Sequence, residues 1–240
     1  MKVYFEGRYY TEDSTLNERE YLKEHAYRLY CKLFPAVMPS VPLKNNLQIY
    51  QVYYDGASHA ALDGGFIPFK TGVNHNYEND ILLDVWRKRD WVNAKYVGVL
   101  SWRFYEKTGF ISSKLKLGSD ATVFLIKDYG RFEHPFCRRG FNSVNKMVDY
   151  ADTMQLFPFK LKDYPVKTNV WCNYWVAKPA IFDDYCTRYL SKAIEFFKNT
   201  DYYCMTEMHR GKHIFSMTFF LEGLFSIYLQ EEKIKYKLVK

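Results

Sequence analysis

Residues 78–109 switch hydrophobic period once, and that switch restricts the fold more than any other stretch of the chain. Residues 78–91 (ENDILLDVWRKRDW) place Ile81, Leu82, Val85 and Trp86 at helical spacing. Residues 94–100 then read as a buried strand, with Tyr96, Val97, Val99 and Leu100 around Gly98. Where that strand leaves the sheet stand Ser101, Trp102, Arg103 and Lys107. A helix feeding a strand whose carboxyl end carries hydroxyl, aromatic and cationic groups is the layout of a ligand site in an open α/β sheet. An ordinary charged turn after a buried strand gives the same letters, because helix–strand alternation alone fixes no chemistry.

The rest of the chain repeats the alternation. Residues 47–54 (LQIYQVYY), 121–127 (ATVFLIK) and 169–177 (NVWCNYWVA) read as strands, and 143–155 as a helix. Pro179 suits the first turn of a helix running to 198, and a last helix spans 212–230. Residues 55–76 form a long polar, glycine-bearing loop of the kind that often carries function. Ahead of all this, residues 2–5 suggest a short strand, and Thr15 with Glu18 makes a capping box for a helix to 33. Pro35, Pro39 and Pro42 mark an extended connector. The expected organisation is an N-terminal strand and helix addition over 1–46 and an α/β body over 47–240. That body should hold a mostly parallel sheet with helices on both faces.

The chain has 240 residues, enough for a core without staples. Its net charge of +7 favours a polyanion, a phosphorylated small molecule or an anionic membrane face. The basic residues are dispersed, and no RRM, OB or helix-turn-helix signature accompanies them, which argues against nucleic acid. Five cysteines with no CxxC fit a reducing cytoplasm better than a disulfide framework or zinc ribbon. The start MKVYFEGRYY has no apolar core region, so no signal peptide is expected. The aromatic share of 19% gives many flat surfaces for packing and for stacking on sugars or bases. Walker, GxGxxG and GxSxG motifs are missing.

Four segments together carry a resemblance. YVGVLSWRFYEKTG, the helix ENDILLDVWRKRDWVNAKY before it, CNYWVAKPAIFDDYC and HIFSMTFFLEGLFSIYL are similar, in order and rough spacing, to segments of small glycosyltransferase-like proteins of capsule and exopolysaccharide gene clusters. The resemblance covers residues 47–230. It implies a GT-A type, Rossmann-like fold that binds a nucleotide-sugar and transfers the sugar to the hydroxyl of a glycan or lipid-linked glycan acceptor. It also implies a cytoplasmic enzyme, with peripheral membrane contact a further expectation; the basic tail at 233–240 suits an anionic surface. Most GT-A enzymes hold Mn²⁺ or Mg²⁺ on an Asp-x-Asp motif. Here Ser101-Trp102-Arg103 stands at that place, so metal dependence stays open and a guanidinium offers direct, bidentate neutralisation of a pyrophosphate.

Arg103 and Lys107 are therefore the expected phosphate-binding pair, with Ser101 and Trp102 beside them, and His209 with Arg210 as further diphosphate ligands. Asp120, at the head of a strand, and Glu222, a carboxylate within an apolar helix, are the candidate general bases. The family's Arg after the latter is replaced by Gly223. Asn173 and Tyr174 match a family Asn-Met pair and are candidates for sugar or acceptor contacts. Each has a plain alternative: a turn, a core anchor or a packed polar group. His209 and His213 stand four apart, but Gly211 between them argues against a helical metal pair, and no metal ligands are assigned. Two rival functions stay open: a non-catalytic carbohydrate- or nucleotide-binding protein of the same fold, and a nucleic-acid-binding protein.

Overall fold

The computed structural model describes residues 3–5, 8–10, 46–72, 76–126, 134–136, 141–209 and 212–239. The expected N-terminal helix and its proline connector lie outside the described residues. Ahead of them, β1 (Val3–Phe5) pairs antiparallel with β2 (Arg8–Tyr10).

The body is α/β, built on a mostly parallel six-stranded sheet. Its strands are β3 (Leu47–Tyr53), β4 (Ile67–Lys70), β5 (Tyr96–Ser101), β6 (Ala121–Phe124), β7 (Trp175–Ala177) and β10 (Tyr236–Val239). The spatial order is β10-β6-β7-β5-β3-β4. Strand β3 runs parallel to both β4 and β5, and β6 parallel to β10. Strand β7 lies antiparallel between β5 and β6. Every residue of β5 and β6 is buried, as expected of strands covered on both faces. At Gly98 a side chain has no room: a Cβ would sit 2.6 Å from Val176 Cγ1 and 2.8 Å from the Trp175 carbonyl oxygen. The glycine lets β7 close onto β5.

The two faces are covered differently. Val97, Val99, Val123, Trp175 and Ala177 share one core with the longer helices. These are α2 (Glu78–Lys88), α4 (Asn142–Thr153), α5 (Pro179–Tyr185), α6 (Ser191–Phe197) and α7 (Ser216–Glu231). Ile49, Leu100, Phe124, Tyr174 and Val176 form the opposite core. There the described cover is α3 (Phe104–Thr108), through Phe104, with Phe66, Phe110, Leu115 and Leu117 from coil and turn. Helices on both faces was the expectation; the longer described helices all gather on one.

Helix α7 is buried on all sides, the rule for a helix that is apolar all round. Phe225 stacks on Trp175 of the sheet with ring centres 3.8 Å apart. Gly223 faces the Phe136 ring, where a Cβ would come within 2.6 Å. Between Ser216 and Leu229 a single residue, Glu222, is not fully buried.

Four element boundaries differ from the sequence reading. The loop over 55–76 contains α1 (Gly56–Ala60) and the edge strand β4. Pro68 and largely exposed side chains hid that strand. The strand expected over 169–177 begins only at Trp175, because Cys172 and Asn173 hold φ of 58° and 54°, in the left-handed region. The segment before α7 is a hairpin of β8 (Thr206–His209) and β9 (Lys212–Phe215). The basic tail is the edge strand β10.

Candidate active site at the carboxyl edge of the sheet

Neighbours β4 and β5 lie on opposite sides of β3, so the chain reverses its winding direction there. Ligands in open α/β sheets bind in the crevice outside the carboxyl ends of strands at such a switch point. At that edge β3 ends in Tyr53-Tyr54-Asp55 and β5 in Ser101-Trp102-Arg103. Strand β7 runs the other way, so its amino end brings Cys172, Asn173 and Tyr174 to the same edge. An open depression of about 320 Å³ lies at the ends of β3 and β4, lined by Tyr53, Tyr54, Asp55, Gly56, His59 and Lys70.

Polar bonds tie the strand ends together. Gln51 is buried; its Nε2 donates to the Ser101 carbonyl at 3.2 Å and its Oε1 accepts from the Asp63 amide at 2.7 Å. Ser101 Oγ and the Tyr174 hydroxyl are 2.6 Å apart. Asn173 is 1% exposed, and its Nδ2 donates to Asn79 Oδ1 at 3.0 Å. Asn79 in turn donates to the Asn76 carbonyl, which fixes the first turn of α2 against the entry to β7. Asn173 Oδ1 is buried with no hydrogen-bond partner among the described residues.

The charged groups converge on Lys107. Its Nζ donates to Cys172 Sγ at 3.1 Å and lies 5.5 Å from the centre of the Tyr174 ring. Burial works against the ammonium, yet Cys172, Glu222 and Glu78 together hold its pKa above the ordinary lysine value. Burial raises the Glu78 carboxyl, with Glu222 adding to the rise and Lys107 opposing it. Burial and the Glu222 charge push the Cys172 thiol up to about 11, against the pull of Lys107. Burial, then Glu78 and Tyr77, raise Tyr54 above the ordinary phenol range. Glu222 on α7 and Glu78 on α2 therefore lie near enough to Lys107 on α3 to act on its charge.

Arg103 is engaged next to this cluster. Its Nε donates to Glu106 at 2.6 Å, a second guanidinium nitrogen bonds the other carboxylate oxygen, and its charge lies 5.8 Å from the Trp102 ring centre. Three carboxylates, Glu78, Glu106 and Glu222, thus accompany the two cations.

Six sequence candidates, Ser101, Trp102, Arg103, Lys107, Asn173 and Tyr174, gather at this edge, and Glu222 joins them. Asn173 and Tyr174 are too buried for direct ligand contact; they position neighbours instead. Asp120 is not brought there. It sits at the amino end of β6, the opposite edge of the sheet, and pairs with Lys178 at 2.9 Å. His209 lies in a hairpin with Lys212 opposite it, and His213 faces Met208, so the two histidines do not share a helix face. Arg210 lies outside the described residues. Sequence reasoning missed Glu78, Cys172, Asn79 and Tyr54. For Glu78 a signal existed, since it heads the amphipathic helix that feeds β5; the others become polar partners only through packing.

The residues present do not fit a carboxylate-held metal. At the exit of β5, Ser101-Trp102-Arg103 offers no carboxylate, and the serine hydroxyl is committed to Tyr174. Among the described residues no group of three or more His, Cys, Asp or Glu side chains could hold a metal ion. Comparison with protein-family models, with curated proteins and with solved structures finds no match.

Proposed function

We propose that the chain is a glycosyltransferase of GT-A type that moves a sugar from a nucleoside-diphosphate donor to an acceptor hydroxyl. The observation that carries this reading is the meeting of Glu222 with Lys107 at the switch-point edge of the sheet. Glu222 is the one incompletely buried residue on an otherwise buried stretch of helix, and its charge acts on Lys107. A carboxylate so placed takes the proton of an acceptor hydroxyl as the hydroxyl attacks the sugar. Lys107 offsets the charge that develops on the leaving diphosphate. Arg103 adds to this by exchanging Glu106 for a phosphate oxygen; the pair is partly exposed, with side chains 41% and 24% accessible, so the exchange needs no deep desolvation. The depression beside Tyr53, Tyr54 and His59 offers aromatic walls to a nucleoside.

Glycans or lipid-linked glycans of surface polysaccharide assembly are the acceptors we infer, at a cytoplasmic membrane face. No helix among the described residues is long and apolar enough to cross a membrane.

The excess of carboxylates over cations favours a second reading, a binding protein of the same architecture that performs no transfer. Thermal-shift measurements with nucleoside diphosphates and nucleotide-sugars, with and without Mn²⁺, followed by donor-turnover assays on Glu222→Gln, separate the two. The enzyme reading expects the variant to bind donor nearly as well and to lose turnover by about 10²-fold or more. Donor binding without turnover in the unaltered protein would leave the binding protein, and no ligand shift at all would remove both.

A further inference from the structure

A second depression, of about 210 Å³, lies away from the sheet edge, between the segment after α4, the junction of α5 with α6, and the end of α7. Its walls are aromatic. Phe157 stacks on Phe159 with ring centres 5.5 Å apart and planes within 5°, and on Tyr189 at 5.2 Å and 23°. Its rim is charged and balanced, with Arg188 and Lys192 against Glu231 and Glu232.

The chain bends out of its regular course to build this place. Between α5 and α6, residues Cys186–Leu190 wind as a π turn, a form frequent at functional sites. The turn contains Arg188 and Tyr189. Arg188 bonds Asp184 at 3.1 Å and Glu232 at 2.6 Å, and the Tyr189 hydroxyl donates to the same Glu232 oxygen at 3.0 Å. Tyr164 likewise donates to Glu231. The rim is therefore held in place from both sides of the groove. Lys192 projects over Phe157, with Nζ 5.2 Å from the ring centre.

From this geometry we propose that the depression binds a saccharide ring of a neutral glycan. A pyranose presents an apolar face of C–H groups and a rim of hydroxyls. The half-buried Phe159 ring, backed by the buried Phe157, matches the face, and fixed carboxylates with a guanidinium and an ammonium match the hydroxyls as acceptors and donors. The balanced charge gives a phosphate or nucleotide no net attraction. The volume is below the roughly 300–1,000 Å³ of drug-sized sites, so the place suits one ring of a longer chain. Glu222 and Glu231 lie nine residues apart on α7, about 13 Å along its axis, and the helix between them is buried. The two depressions are separate places. The proposal stands without the transferase reading; if both hold, the second place tethers an acceptor glycan and raises its local concentration at the first.

The test is titration calorimetry of the whole protein with maltohexaose, cellohexaose and N-acetylchitohexaose, and with uridine diphosphate as an anionic control. We expect at least one hexasaccharide to bind. Phe159→Ala should weaken it by about tenfold and Lys192→Ala, an exposed change, by about threefold. Arg103→Ala and Glu222→Gln should leave it unaltered. Melting curves confirm that each variant is folded; should Phe159→Ala fail to fold, Lys192→Ala carries the test. Absence of binding by all three glycans up to about 10 mM overturns the proposal. So does glycan binding that survives both groove variants, or that disappears in Glu222→Gln, or uridine diphosphate binding that depends on Phe159. Failure of the transferase reading shows instead as absent donor binding or absent turnover in the unaltered protein, which the glycan titration does not read.

Discussion

Lys107→Met removes the one charge on which the candidate site converges while keeping much of the stem that packs on Tyr174. In the native protein Lys107 faces Glu78, Glu222 and the Cys172 thiol. Without it, two carboxylates remain close together with no cation between them. Removing one member of a buried ion pair costs about 3–5 kcal/mol. Lys107 keeps some contact with solvent, so the lower end, about 3 kcal/mol, applies. For a chain of this size that lowers Tm by roughly 6–12 °C. The loss should depend on pH. Burial holds the folded-state pKa of Glu78 above its ordinary value of 4.5, and a backbone hydrogen bond and then Lys107 restrain the rise. A carboxyl with a raised folded pKa contributes stability below its unfolded pKa and loses it as pH climbs through the folded value. The variant's deficit should therefore be smallest at low pH and grow as pH climbs through the raised folded-state value of Glu78. Urea unfolding of both proteins at several pH values measures it. A deficit below about 1 kcal/mol that stays flat with pH would show that Lys107 does not hold these carboxylates, and would remove the basis of the site.

Three further outcomes are expected. Gly98→Ala should destabilise by about 1–3 kcal/mol in thermal unfolding, since the added carbon meets the Trp175 carbonyl at 2.8 Å and backbone cannot step aside cheaply; an unchanged Tm would mean that β7 does not press on β5. Asp120→Asn should leave both donor binding and melting temperature unchanged, because its partner Lys178 is on the surface; a selective loss of turnover would return it to the catalytic candidates. At about pH 8, iodoacetamide should label exposed Cys204 well before Cys172, whose thiol at about 11 is roughly one part in a thousand thiolate, as read by peptide mass mapping; rapid Cys172 labelling would contradict its enclosure by Glu222 and burial.

The strands β3, β5 and β6 and the helices α2, α4 and α7 were legible in the residues, because burial imposes a period that letters record. So was the position of Ser101, Trp102, Arg103 and Lys107 at a strand's carboxyl end. Strand β4 was not, since an exposed edge strand with a proline carries neither alternation nor an apolar run. Local pattern determines which face of an element is buried, and it said nothing of which face of the sheet would receive the helices. The direction of β7 was equally hidden, and its antiparallel course brings Cys172 beside Lys107. Asp120 and Glu222 were equal candidates as letters. Only the tertiary structure parted them, because a sheet has two edges and one dimension of sequence does not say which edge a strand's first residue faces. The charges at the site come from α2, α3 and α7, far apart in the chain, and their mutual effect on one another's protonation exists only once packing removes the water between them.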